Sequence, residues 1–143
     1  MLSSTHFLFG ILSGLILNFE TLFVLIIGFA ALLPDLDHPN SIINRNLRLS
    51  KIIAFAFSHR RFWHTIWPGA LIALAFLPLR PKFALAIAVG WLSHLFLDML
   101  TIEGTMPFLP LKIKFKGFIK VGSFTEKIIA FTTFFSIILL IVF

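Results

Sequence analysis

The side chains in this sequence best suited to chemistry are five histidines and three aspartates, each lying at the end of an apolar run. His6 opens the first run. Asp35, Asp37 and His38 close the second, in LLPDLDHPNS. His59 and His64 precede the third, in SHRRFWHT, and His94 and Asp98 end the fourth, in WLSHLFLDMLT. A chain this apolar keeps few ionisable groups without a use for them. His94 and Asp98 are four residues apart, so on a helix they share a face and can reach one ion. His59 and His64 need a bend to converge. Asp35, Asp37 and His38 follow Pro34, which turns the chain and lets the carboxylates point back. Imidazole and carboxylate without sulfur suit zinc first, with manganese or iron next, rather than copper(I), and magnesium would want fewer histidines. Seven or eight such ligands exceed the needs of one tetrahedral ion, so two or more divalent ions are expected. A centre of that kind activates water and clamps a phosphoryl oxygen. Arg60, beside His59, has the planar fork to hold the anion.

The elements that must position these groups follow from composition. Of 143 residues, 59% are hydrophobic and 13% charged, with 19 phenylalanines and no tyrosine; the mean hydropathy is +1.02. A soluble surface cannot be built from this, so the chain reads as an all-α integral membrane protein forming a single domain over residues 1–143. The absence of cysteine excludes disulfides and thiolate ligands. No basic region precedes the first segment and no small-residue cleavage site follows it, so it does not read as a secretory signal. Five apolar segments are expected, at residues 4–17, 21–33, 65–79, 83–100 and 125–143, separated by Asn18 to Glu20, by Pro34 and by the Arg80-Pro81-Lys82 turn. The first three fall short of the roughly 20 residues of a spanning helix, which leaves open whether the first two cross fully. One long helix through His6 and Leu33 competes, with Glu20 in its middle against it. Residues 41–58, with Arg45, Arg48 and Lys51 ahead of IIAFAF, read as an interfacial amphipathic helix. In residues 101–122, Lys112, Lys114 and Lys116 alternate with Ile113 and Phe115, predicting a small cationic hairpin with a turn at Gly117.

Five crossings would collect His6, Asp35 to His64, His94, Asp98 and Glu126 at one membrane face, leaving the other with residues 18–20, the 80–82 turn and the C-terminus. Ten of the twelve Lys and Arg share the histidine face, which the positive-inside rule makes cytoplasmic. The net charge of +6 is thereby assigned to topology and anionic headgroups, not nucleic acid. Ser123 and Glu126 have the spacing of a capping box, a structural role. Trp63 and Trp67 fit an interfacial aromatic belt, and Trp91 reads as packing.

LLPDLDHPNS, FSHRRFWHT and GWLSHLFLDMLTIEGTMPFLP resemble the three signatures of the membrane-bound metal-dependent hydrolases of the YdjM type, and His6 and the late Glu126–Lys127 pair fit the same pattern. The resemblance implies that His6, Asp35, Asp37, His38, His59, His64, His94 and Asp98 are the metal positions. The middle signature usually reads HRGxTHS; here Arg61, Trp63 and Thr65 replace its glycine, threonine and serine. A more distant likeness to zinc-dependent phospholipase C enzymes points to phosphoester chemistry.

The expectation is therefore a membrane-embedded hydrolase that cleaves a phosphoester of a lipid or other amphiphilic substrate with metal-activated water. One of Asp35, Asp37 or Asp98 would act as base and Arg60 as phosphate holder. A divalent-metal transporter would place its ligands near the midplane with access from both sides, unlike this one-sided set. A non-catalytic metal-stabilised membrane scaffold uses the same ligands and differs by lacking an open coordination position.

Overall fold

The structure, a computed structural model, describes residues 1–37 and 62–143. These form five α-helices: α1 (Ser3–Ile16), α2 (Thr21–Ala30), α3 (Ile66–Phe76), α4 (Pro81–Met99) and α5 (Phe124–Val142), with a 3-10 helix (Leu33–Asp37) after α2. The described residues contain no strand, so the all-α expectation holds for them. Each helix coincides with one apolar segment to within a few residues. The expected amphipathic helix at 41–58 lies outside the described residues.

The break after α1 excludes a continuous helix from His6 to Leu33. Asn18 adopts φ 55°, a left-handed conformation that asparagine tolerates better than most residues. The Phe19 N–H then donates to Gly14 O and the Asn18 N–H to Leu15 O, both at 3.0 Å, satisfying carbonyls that the helix end leaves open. On the same end of the molecule, Lys82 at the start of α4 donates to Glu20 before α2. Pro81 opens α4, where its missing N–H costs nothing.

Helix α4 is the centre of the bundle: α1, α2 and α3 all pack on it, and α5 packs on α1. Its inner face is buried from Ala84 through Trp91 to Leu97, against Phe23 and Ile27 of α2. Small residues set the spacing. A Cβ on Gly10 would lie 3.0 Å from both Gly28 Cα and Ala31 Cβ, and one on Gly90 would strike the Ile27 carbonyl oxygen. Backbone approach at small residues is how helices associate where lipid removes any hydrophobic gain between them. Helices α4 and α5, each 19 residues, are long and apolar enough to cross a membrane, rising about 28 Å at 1.5 Å per residue. The outward face of α5 is mostly apolar, with Phe131, Phe134, Phe135 and Ile141 exposed.

The expected hairpin at 101–122 is present only as an irregular segment pinned by two isolated bridges, an antiparallel one between Thr105 and Phe115 and a parallel one between Thr101 and Ile119. Gly117 is not its turn. It packs on the C-terminus of α4, where any Cβ would collide with the Leu100 carbonyl, and its N–H donates to Thr101 O at 2.9 Å. The alternation of lysines was real as a pattern, but close packing placed the glycine.

Candidate metal centre

Helix ends converge at one end of the bundle. His6 comes from the first turns of α1, Asp35 from the 3-10 helix that closes α2, His64 from the turn before α3, and His94 and Asp98 from the last turns of α4. The i, i+4 spacing of the last pair places His94 Nε2 3.2 Å from Asp98 Oδ2. His6 Nε2 lies 3.3 Å from Asp98 Oδ1, so the carboxylate presents a different oxygen to each imidazole. The two rings stack, with centroids 3.8 Å apart and planes 15° from parallel. His64 Nε2 lies 3.3 Å from Asp35 Oδ1 and 3.8 Å from Asp98 Oδ2, and His94 Nε2 lies 3.8 Å from Asp35 Oδ1. The Met1 ammonium also donates to Asp98 Oδ1, at 2.8 Å.

Two triads meet the spacing of a metal site: His6, His94 and Asp98, and Asp35, His64 and His94, each with ligand atoms within 4.8 Å of one another. His94 belongs to both but offers one inward nitrogen, so the five residues form a single continuous cluster. That nitrogen is defined by the other. Nδ1 lies 2.8 Å from the Ala31 carbonyl oxygen, an acceptor only, so Nδ1 carries the proton and the Nε2 lone pair faces inward. His6 and His94 are fully buried, and neither nitrogen of His6 nor Nε2 of His94 has a hydrogen-bond partner among the described residues. Leaving such atoms unsatisfied costs about 1–3 kcal/mol each. A cation accepting one inward lone pair from each ring removes part of that cost, so the donor set fits a divalent ion. Burial works to raise the Asp35 carboxyl, but the hydrogen bond with His64 and the nearby His94 and His6 rings hold it below the ordinary aspartate value. It is therefore ionised at neutral pH.

Of the residues expected from sequence, the structure unites His6, Asp35, His64, His94 and Asp98. Asp37 ends the 3-10 helix, and His38, His59 and Arg60 lie outside the described residues. Glu126 stands apart from the cluster. It is fully buried, with Oε1 accepting from Leu2 N at 2.6 Å and Thr5 Oγ1 at 3.2 Å, and Oε2 accepting from Gly122 N at 2.6 Å. Ser123 Oγ caps the Glu126 N–H at 3.4 Å, as the capping reading expects, but the carboxylate reaches α1 as well. Sequence gave no sign of a further set of supports. Thr105 Oγ1 donates to the His64 carbonyl at 2.9 Å, and Trp91 Nε1 donates to the Thr65 carbonyl at 2.8 Å. Trp91 is thus packing, as expected, and also a donor.

A model of the YdjM inner membrane protein family matches residues 1–143. The chain belongs to the YdjM inner membrane protein family. Inner membrane protein YdjM of Escherichia coli (strain K12) is 40% identical over 93 residues, 59% of this chain and 47% of that protein, and its Shigella flexneri counterpart matches equally. YvsG of Bacillus subtilis (strain 168) is 30% identical over 105 residues, covering 69% of this chain and 65% of YvsG. The chain spans about half the length of the two YdjM relatives. No solved structure matches it. As a YdjM family member the chain is a membrane protein, in keeping with its two long apolar helices.

Proposed function

We propose that this YdjM family member is a membrane-embedded metal-dependent hydrolase that cleaves a phosphoester of a lipid or another amphiphilic substrate. The observation that carries the reading is the pair of buried, unpartnered imidazole nitrogens, on His6 and His94, facing Asp98 beside Asp35 and His64. In this reading His6, His94, Asp98, Asp35 and His64 hold the ion or ions, zinc first and manganese or iron next. Asp98 offers one oxygen toward His6 and the other toward His94, so it would hold metal together with either ring. A divalent ion held here supplies a Lewis acid and lowers the pKa of its water to about 7. Asp35, ionised and partly exposed, is placed to accept a proton. Asp37, His38 and His59 complete the ligand set, and Arg60 holds the phosphate. The five helices cross the membrane in alternation, with the site at the cytoplasmic face, where most of the lysines and arginines fall. The apolar outer faces leave a lipid substrate a lateral approach.

The first test is elemental analysis of protein purified in mild detergent without chelator, beside a His94→Ala, Asp98→Ala variant. Two or more equivalents of metal, lost in the variant, followed by phosphate release from phosphorylated lipids, are expected. A metal-replete protein with no turnover on any phosphorylated lipid removes the hydrolase reading. A chain that takes up no metal removes the centre itself.

A further inference from the structure

The cluster secures its histidines unequally. His94 is anchored through its ring by the Ala31 carbonyl, and His64 through its backbone by Thr105. No backbone group anchors the His6 ring: Nε2 faces Asp98 Oδ1 at 3.3 Å, Nδ1 has no partner among the described residues, and the ring's place depends on that contact, on stacking against His94 and on where the first turn of α1 lies. That turn is poorly capped by its own sequence. Leu2 at the N-cap has no side-chain oxygen, and no acidic residue stands in the first turn, although helix N-termini leave their first N–H groups open and favour a negative charge. Glu126, reaching from the start of α5, supplies both. One oxygen takes the Leu2 N–H and the hydroxyl of Thr5, the residue immediately before His6, while the other takes Gly122 N–H. A fully buried carboxylate is costly unless fully hydrogen-bonded; three donors meet that need, and they fix the carboxylate to one position.

We propose that Glu126 is a positioning residue for His6, capping α1 from α5 so that the His6 ring is held against His94 and Asp98. The assignment deepens the metal-centre reading, but the placement of His6 is testable without any metal. A general fold staple would disturb all ligands alike; a positioning residue disturbs His6 first.

In chelator-treated full-length protein, reactivity of each histidine with diethyl pyrocarbonate is read by mass spectrometry. Glu126→Gln, which keeps shape and removes charge, is expected to raise modification of His6 several-fold while His94 stays protected. Equal exposure of both, or of neither, overturns the proposal. Thr5→Val, which removes one donor beside His6, serves as the second variant should Glu126→Gln fold poorly, with the same expected result. In a second arm, zinc affinity is measured by chelator competition. Glu126→Gln lowers it about 10-fold, the scale of a lost outer partner, and the same change in a His6→Ala background lowers it no further. An equal fall in both backgrounds overturns the proposal. A wild-type chain that binds no zinc defeats the metal reading, while the modification arm still decides the role of Glu126.

Discussion

At the scale of single residues, the cluster shows which chemistry a sequence reveals. The cluster's members are side chains of the types a metal would demand, so His6, Asp35, His64, His94 and Asp98 were legible from type and placement. Their supports were not. Ala31 and His64 act through carbonyl oxygens, and every residue has one. Trp91 gives a prediction at this scale. Its indole lies on Gly69 and donates to the buried Thr65 carbonyl, one residue after His64. Trp91→Phe keeps most of the ring volume but leaves that carbonyl without its donor, a loss of about 1–3 kcal/mol. Thermal unfolding in detergent is expected to show a lowered Tm. An unchanged Tm would mean that the indole serves by volume alone.

At the scale of elements, apolar runs became helices because a backbone in lipid must satisfy its own hydrogen bonds. That is why five segments read from hydropathy match α1 to α5 so closely. The packing between them was less legible, because a glycine in an apolar run can mark a turn, a kink or a contact. Gly117 shows the difficulty: expected as a turn, it is a point of backbone contact. Gly90 shows the consequence for the site. It sits one turn before His94 on α4 and lets that helix close on the Ile27 carbonyl and the Ala31 amide of α2. The same approach brings the Ala31 carbonyl within 2.8 Å of His94 Nδ1. Gly90→Ala must push α2 and α4 apart, at about 1–3 kcal/mol for an overpacked contact. Both the Tm and zinc affinity are expected to fall, since Asp35 follows α2 and His94 rides on α4. A variant with lowered Tm and unaltered zinc affinity would show that the centre tolerates the helix shift.

At the scale of the whole molecule, the arrangement is polarised. The His and Asp cluster, the Thr105–Phe115 bridge and the start of α5 share one end, while Glu20, Lys82 and the α3–α4 turn occupy the other. The proposed orientation puts the cluster end in the cytoplasm by the positive-inside rule, and the lack of native cysteine makes that proposal directly testable. Two single-cysteine variants suffice, at sites whose exposure keeps the fold undisturbed: Phe118→Cys at the cluster end, 80% exposed, and Leu79→Cys at the opposite turn, 77% exposed. A membrane-impermeant maleimide added to intact spheroplasts is expected to label Leu79→Cys and spare Phe118→Cys, and inverted vesicles should reverse the pattern. Labelling of both from one side would place the two ends on the same face, and α3, α4 and α5 could not then alternate. Full reversal would keep the bundle but turn the cluster outward. Under the proposed hydrolase reading, a substrate would then have to come from the outer leaflet or beyond, which makes orientation the measurement that decides which lipids to assay.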